Sequence, residues 1–413
     1  MSAFGYLRKN GIKHTLEVIW QYKIDRLLLR LLRPICLRLP LTDTIVIESH
    51  NDFDSNGGAF YDYLIAHGYN ERYRIVWTIK NKASKKVPLP KNVICVPLWR
   101  PSVRKDWIIL RAKFFTADED ISGKVRPGQR SYYLTHGTFS LKNAAGLVDI
   151  PGSVDYILLG SENVREIETT QFRPQPSTQF LCIGFPLHDR LLMPAVPQLD
   201  KVRPDAHFSR VVIWMPTFRT GIAHGRCDST AAQPMGVPLL EDEHDLDRLD
   251  AQLRADDTLL IVKLHPKQDL HGVRITDRPN ILLLTGASVK QYGIDTYELL
   301  KQTDALVSDY SSIAYDYLLL DRPIGYVFSD LADYKLGLVT DRPEELIVGP
   351  VIRTFDEFLH FLHTVREGTD PDRERRHALA EKIFTYRDGG ACARLAAHMG
   401  LIMPEEQTRG EEK

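Results

Sequence analysis

Four short apolar runs in this chain each stop at a cluster of polar, reactive side chains. The run 131–135 meets His136, Gly137 and Thr138, with Lys142 beyond. The run 211–215 meets Pro216-Thr217-Phe218-Arg219, and 259–264 meets His265-Pro266-Lys267. The run 305–307 meets Ser308-Asp309-Tyr310-Ser311-Ser312, after which Ile313, Tyr317 and Leu320 return at helical spacing, so the segment reads as strand, polar loop, helix. A further strand at 324–328 follows the stop at Arg322-Pro323. Shorter runs at 44–47, 74–79, 93–97, 114–117, 156–159 and 180–183 alternate with helical stretches in the same way. Such alternation predicts an α/β fold with parallel, doubly wound sheets, whose ligands bind outside the carboxyl ends of the strands. Four strand ends rich in His, Thr, Arg, Lys, Asp and Ser therefore predict one shared cleft.

At 413 residues the chain exceeds one ordinary domain, and two α/β domains of roughly 150 to 200 residues are expected. The hydrophobic fraction of 43% is ample for two cores. A formal net charge of −1 argues against a nucleic-acid partner, and no zinc-finger or RNP-type motif is present. The five cysteines are odd in number and scattered, which fits a reducing compartment and neither a disulfide framework nor a zinc site. No run of about 18 uncharged apolar residues predicts a spanning helix, and Glu17 and Lys23 interrupt any signal-peptide core, so a cytoplasmic location is expected.

Residues 1–40 form a basic segment. Between Lys23 and Arg33, Ile24, Leu27, Leu28 and Leu31 share one helical face while Lys23, Arg26, Arg30 and Arg33 lie opposite, and Pro34 is expected to end the helix. Such a helix suits the surface of an anionic membrane or, equally, a place on its own domain. Gly57 and Gly58, between the first strand and a helix, permit close backbone approach to a ligand, although plain turns use the same pair. Ser311 and Ser312 at a helix mouth would face an anion with unpaired N–H groups; simple capping is the alternative. His136, directly after a strand, is placed for proton transfer, and a plain His-Gly turn is again the alternative. Lys142 lies one helical turn past Thr138 and would face the same anion. The tract 220–247 reads as a loop or flap, 197–204 as a proline-bearing linker, and the tail from Pro404 as disordered.

Taken in order, six motifs carry a resemblance: Thr135-His136-Gly137-Thr138 with Leu141-Lys142, Gly184-Phe185-Pro186 with Asp189, Met215-Pro216-Thr217-Phe218-Arg219, Leu264-His265-Pro266, Ser308-Asp309-Tyr310-Ser311-Ser312 with Asp316 and Arg322-Pro323, and Asp388-Gly389-Gly390-Ala391. Over about residues 44–396 the chain resembles the CDP-glycerol glycerophosphotransferase family, known from teichoic acid and capsule polymer synthesis. The resemblance implies a GT-B arrangement of two Rossmann-like domains facing a cleft. The acceptor side would fall at 41–200, the nucleotide-donor side at 205–385, and a terminal helix and tail at 386–413. It implies transfer of a polyol phosphate, glycerol phosphate foremost, from a CDP-linked donor to a hydroxyl of a saccharide or lipid-linked polymer, at the inner face of the membrane. His136 falls on the candidate general base and His265 on the histidine near the donor diphosphate. Thr217, Arg219, Asp309, Ser311 and Ser312 fall on the donor side; Gly137, Thr138, Lys142, Gly57 and Gly58 are assigned to the phosphate or acceptor side. The family's usual W-H-G-T-P-L-K is changed here to Thr135 for the aromatic and Phe139-Ser140 where proline is usual. Positive charge for the phosphoryl oxygens is expected from Arg219, His265 and Lys142 with the Ser311-Ser312 turn. No carboxylate cluster with metal-ligand spacing stands out, so no metal or cofactor beyond the donor is expected. The rival readings are a GT-B glycosyltransferase using a nucleotide sugar and a non-catalytic membrane-docking subunit.

Overall fold

A computed structural model describes residues 24–119, 123–135, 137–148, 150–204, 207–219 and 227–403. Two wholly parallel sheets organise them. The first joins β1 (Thr42–Ile47), β2 (Arg74–Ile79), β3 (Val93–Pro97), β4 (Ala112–Ala117), β5 (Arg130–Tyr133), β6 (Tyr156–Leu158) and β7 (Gln179–Leu181) in the order β3-β2-β1-β4-β5-β6-β7. The second joins β8 (Arg210–Trp214), β9 (Thr258–Lys263), β10 (Ile281–Leu284), β11 (Ala305–Ser308), β12 (Ile324–Val327) and β13 (Val351–Ile352) in the order β10-β9-β8-β11-β12-β13. In each sheet the winding direction reverses once, between β1 and β4 and between β8 and β11. The crevice beyond the strand ends at such a reversal is where α/β sheets hold ligands.

The strands are apolar on both faces because helices cover both. Along β9 every residue is buried, with Leu259 and Ile261 in one core and Leu260 and Val262 in the other. Near the carboxyl end that alternation gives way to charge at Lys263 and then His265.

Two segments cross between the domains. Phe139 and Leu141, from the loop after β5, lie in a core otherwise built largely by the second domain, where the Phe139 ring sits 4.2 Å from that of Tyr315. The backbone follows: Lys142 N–H donates to Tyr310 O (3.2 Å), Asn143 N–H to Gly337 O (3.0 Å) and Val339 N–H to Leu141 O (2.8 Å). In return, the helix Ala391–Met399 buries Cys392, Leu395 and Ala396 in the first domain's core beside Phe60 and Leu64.

Three local expectations are corrected. The helix Asp25–Leu37 runs through Pro34 instead of ending at it. The Arg126 guanidinium binds the carbonyls of Cys36 (2.6 Å) and Leu39 (3.2 Å), holding the end of the helix beyond the proline. The helix Glu243–Ala255 begins inside the tract expected to be loop, because Asp242 caps it through Asp245 N–H (3.0 Å). Beyond Ser312 there is only one α turn, Ile313–Asp316, continued by the 3₁₀ turn Tyr317–Leu320. So short an element has little macrodipole to offer an anion. Residues 1–23 and 404–413, with the expectations made for them, and the core of the expected flap, 220–226, lie outside the described residues.

Candidate active site

β9 delivers His265 to the second domain's strand ends. Its Nδ1 accepts the N–H of Lys267 (3.0 Å), which leaves the ring proton on Nε2, and its ring lies 4.9 Å from that of Phe218. Burial, then the positive charges of Lys142, Lys263, Lys267 and His50, hold the imidazole down at about 3. His265 is therefore neutral at physiological pH and offers an oxyanion a hydrogen bond, where a cation had been expected. The charge comes from the lysines around it. Lys263 is buried with no ion pair or hydrogen bond among the described residues, and burial lowers its ammonium to about 8. Lys267 is half exposed and reaches Glu119 of the first domain at 3.2 Å.

The first domain answers with carboxylates. Glu48, just past β1, accepts the N–H groups of Asp118 and Glu119 (both 3.1 Å) and pairs with Lys80 Nζ (2.7 Å). Glu119 takes Lys80 Nζ (2.8 Å) and His50 Nδ1 (3.0 Å); against the effect of burial, these hydrogen bonds hold it well below the usual carboxylate range. Asp118 is fully buried and pushed well above that range, by burial first and then by the charge of Glu48, while its Oδ2 accepts Gly57 N–H (2.9 Å). One reversal point is thus acidic and the other basic, and Lys267–Glu119 bridges them.

The predicted site residues divide on this frame. His136 lies outside the described residues. Gly137 and Thr138 touch the second domain: a side chain on Gly137 would meet Ser312 Oγ at 2.8 Å, and Thr138 Oγ1 donates to Asp316 Oδ1 (3.0 Å). Lys142 is not one helical turn past Thr138, since the stretch is extended and pairs with Leu338, but its charge does reach His265. Ser311 and Ser312 are half-buried at the start of the short turn, with Ile313 N–H on Ser311 Oγ (3.4 Å).

Five of the predicted site residues are turned inward, onto other protein groups. Arg219 is buried, with Nε and Nη2 on Asp330 (2.6 and 3.0 Å) and Nη1 on Asp309 Oδ2 (2.7 Å) and Thr217 O (2.9 Å). Asp309 also accepts Thr217 N–H (3.0 Å) and Thr217 Oγ1 (2.9 Å). Arg219, Thr217 and Asp309 thus fix the turn carrying Phe218, and the Arg219 charge is spent on two carboxylates. Gly57 and Gly58 are packing residues: a Cβ would sit 2.8 Å from Glu48 O at Gly57 and 2.5 Å from Phe53 O at Gly58, and Gly57 N–H already serves Asp118. Glu48, Lys80, Asp118, Glu119, Lys263 and His188 were not anticipated. The strand-end rule applied to β1 and β4 would have found Glu48, Asp118 and Glu119.

Two Rossmann-like domains with facing reversal points, one acidic and one ringed by lysines, give the chain a GT-B-type fold. The family described as CDP-glycerol:poly(glycerophosphate) glycerophosphotransferase matches residues 32–399, and the chain belongs to it. It is similar to the teichoic acid ribitol-phosphate primase of Bacillus spizizenii, 25% identical over 256 residues that make up 60% of each protein. It is also similar to the teichoic acid ribitol-phosphate polymerase TarK of Staphylococcus aureus, 23% identical over 84% of this chain and 66% of that one. The chain thus spans less than two thirds of either relative. In fold it is similar to the wall teichoic acid polymerase TagF, with a TM-score of 0.69 over 96% of this chain and 97% of that one at 22% identity. A variant of TagF has also been solved after soaking with CDPG.

Proposed function

We propose that the chain transfers a polyol phosphate, glycerol phosphate foremost, from a CDP-linked donor to a hydroxyl of a membrane-linked teichoic or capsular polymer. The acceptor oxygen attacks the phosphorus bearing the polyol, the O–P bond to CMP breaks, and CMP leaves with that bond's electron pair. The hydroxyl proton goes to His136, assigned as base from the H-G-T motif. Such a base contributes about 10²- to 10⁴-fold. The observation that carries the reading is the second reversal point, where neutral His265 presents Nε2–H amid Lys142, Lys263 and Lys267. Preorganised donors and cations of this kind suit a diphosphate in the ground state and the extra charge of the transferring phosphoryl group.

Acceptor access at a membrane is supported by the helix Asp25–Leu37, whose Leu27, Leu31 and Ile35 are exposed on one stripe beside Arg26, Arg30 and Arg33. Lys105 holds the opposite face through Asp25 (2.7 Å), so the apolar stripe points away from its own domain. No helix among the described residues is long and apolar enough to cross a membrane.

The test is CMP release from CDP-glycerol and CDP-ribitol, with and without a membrane extract as acceptor, in the wild type, His136→Ala and His265→Ala. Acceptor-dependent release that collapses in both variants supports the proposal. UDP release from nucleotide sugars, with none of CMP, would replace it with a glycosyltransferase.

A further inference from the structure

Asp316 is a buried carboxylate on which side chains from both domains converge. Thr138 Oγ1 donates to Oδ1 at 3.0 Å and His188 Nε2 lies 2.9 Å from the same oxygen, both from the first domain. Tyr297 OH, from the second, donates to Oδ2 at 2.7 Å. Hydrogen bonds to an ionised acceptor are roughly twice as strong as neutral ones. His188 is itself fixed: it is buried, its ring stands edgewise between Phe185 (5.1 Å) and Phe384 (5.0 Å), and its Nδ1 has no hydrogen-bond partner among the described residues. Among the described residues the imidazole thus has one polar contact, and that contact crosses the domain boundary.

The neighbours of this carboxylate are the two motif loops. Four residues before Asp316, Ser312 lies against Gly137. Thr135, buried and at φ 57°, occupies the left-handed region that a β-branched residue avoids, and its Oγ1 closes on Gly137 O (2.6 Å). Asn56 grips the same turn from behind, donating to Leu134 O (3.1 Å) and Thr135 O (2.8 Å). A backbone held in so unfavourable a conformation persists only where its surroundings over-determine it.

The structure assigns Asp316 a positioning role: it sets Gly137 and Thr138 of the first domain in register with the D-Y-S-S loop of the second, through Thr138 and His188. The assignment rests on the phosphotransfer reading for its activity assay only. Asp316 touches neither donor nor acceptor in this account; it acts through the turn it holds.

The experiment compares Thr138→Val, which keeps the shape and removes one hydroxyl, with Asp316→Asn and Asp316→Ala. Measured are kcat for CMP release, affinity for CDP-glycerol by calorimetry, and hydrogen exchange across 134–142. The expected kcat falls roughly 100-fold in Asp316→Ala, the scale of a misplaced reactive group, and roughly 10-fold in Thr138→Val. Asp316→Asn recovers part of the loss, donor affinity stays within about twofold, and exchange across 134–142 quickens in each variant. Thr138→Val combined with Asp316→Ala is no slower than Asp316→Ala alone, as for residues acting as a unit. Wild-type kcat in Thr138→Val and Asp316→Asn would overturn the assignment, as would donor affinity falling in step with kcat. Should the wild type release no CMP from any donor, the phosphotransfer reading fails and exchange decides alone: quickened exchange sustains the positioning role, and unchanged exchange removes it.

Discussion

Replacing Arg219 with Met separates folding from ligand binding at the second domain's strand ends. In the native protein the guanidinium lies between Asp309 and Asp330, and the three side chains are 4%, 0% and 2% exposed. Deleting one member of such a buried set costs about 3–5 kcal/mol, because the remaining charges stay desolvated. Here the lower end applies, since Asp309 keeps the N–H and hydroxyl of Thr217 and Asp330 keeps Tyr310 OH (3.0 Å). The loss should depend on pH. Although burial pushes Asp330 up, Arg219 holds it below its ordinary value in the wild type, so this carboxylate stabilises the fold above its unfolded pKa and loses that contribution as pH falls through its folded one. Without Arg219 its folded pKa rises instead, so the deficit grows as pH climbs from the depressed wild-type value through the raised one of the variant. Urea unfolding followed by the fluorescence of buried Trp214 reads the difference. Adding Asp309→Asn and Asp330→Asn should restore most of the lost stability, as neutralised sets do. A loss below about 1 kcal/mol at pH 7, or the same loss after both aspartates are neutralised, would refute the reasoning.

Glu168 is buried without a side-chain hydrogen-bond partner among the described residues, beside a cavity of about 10 Å³ behind Thr135, Gly137 and Thr138, and burial pushes its carboxyl up to about 8. A carboxyl with a raised folded pKa costs stability progressively as pH rises from its unfolded value through the folded one, so Glu168→Gln should gain a few kcal/mol at pH 9 and about nothing at pH 4; parallel unfolding curves at the two pH values would contradict this. Lys263→Met should lower kcat/KM for the CDP donor roughly 10- to 100-fold without loss of thermal stability, because it removes a buried ammonium that has no ion pair among the described residues; wild-type kinetics would exclude Lys263 from the donor site. Changing Leu27, Leu31 and Ile35 to Ser should abolish sedimentation with anionic vesicles and leave CMP release to a soluble acceptor intact; undiminished sedimentation would assign the stripe elsewhere.

Strand ends were legible because parallel strands buried on both faces must be apolar runs, and a run that stops at His, Lys or Asp declares where the sheet meets solvent. The same rule located His265 and the Asp309–Ser312 loop. It could not tell a ligand-facing side chain from one turned inward: Arg219 and Asp309 look like donor-binding groups in one dimension, yet each neutralises the other across 90 residues of chain. The acidic reversal point was passed over for a related reason. Glu48, Asp118 and Glu119 follow ordinary-looking strands, and their meaning depends on β1 and β4 being neighbours, a fact of sheet order. Pro34 misled because its local preference gave way to contacts made far along the chain, the packing of this helix on Val103–Arg111 and the grip of Arg126 on its last carbonyls.

The exchange of segments between the domains bears on how this protein is made and divided. Phe139 and Leu141 fill space in the second half, and Cys392, Leu395 and Ala396 fill space in the first. A gene cut in the linker at 197–204 would leave each product with an apolar socket exposed and an apolar plug unseated, so neither half should express as a well-behaved soluble protein. During synthesis the first sheet must wait for the last helix of the described chain before its core closes, which makes the first domain dependent on completion of the second.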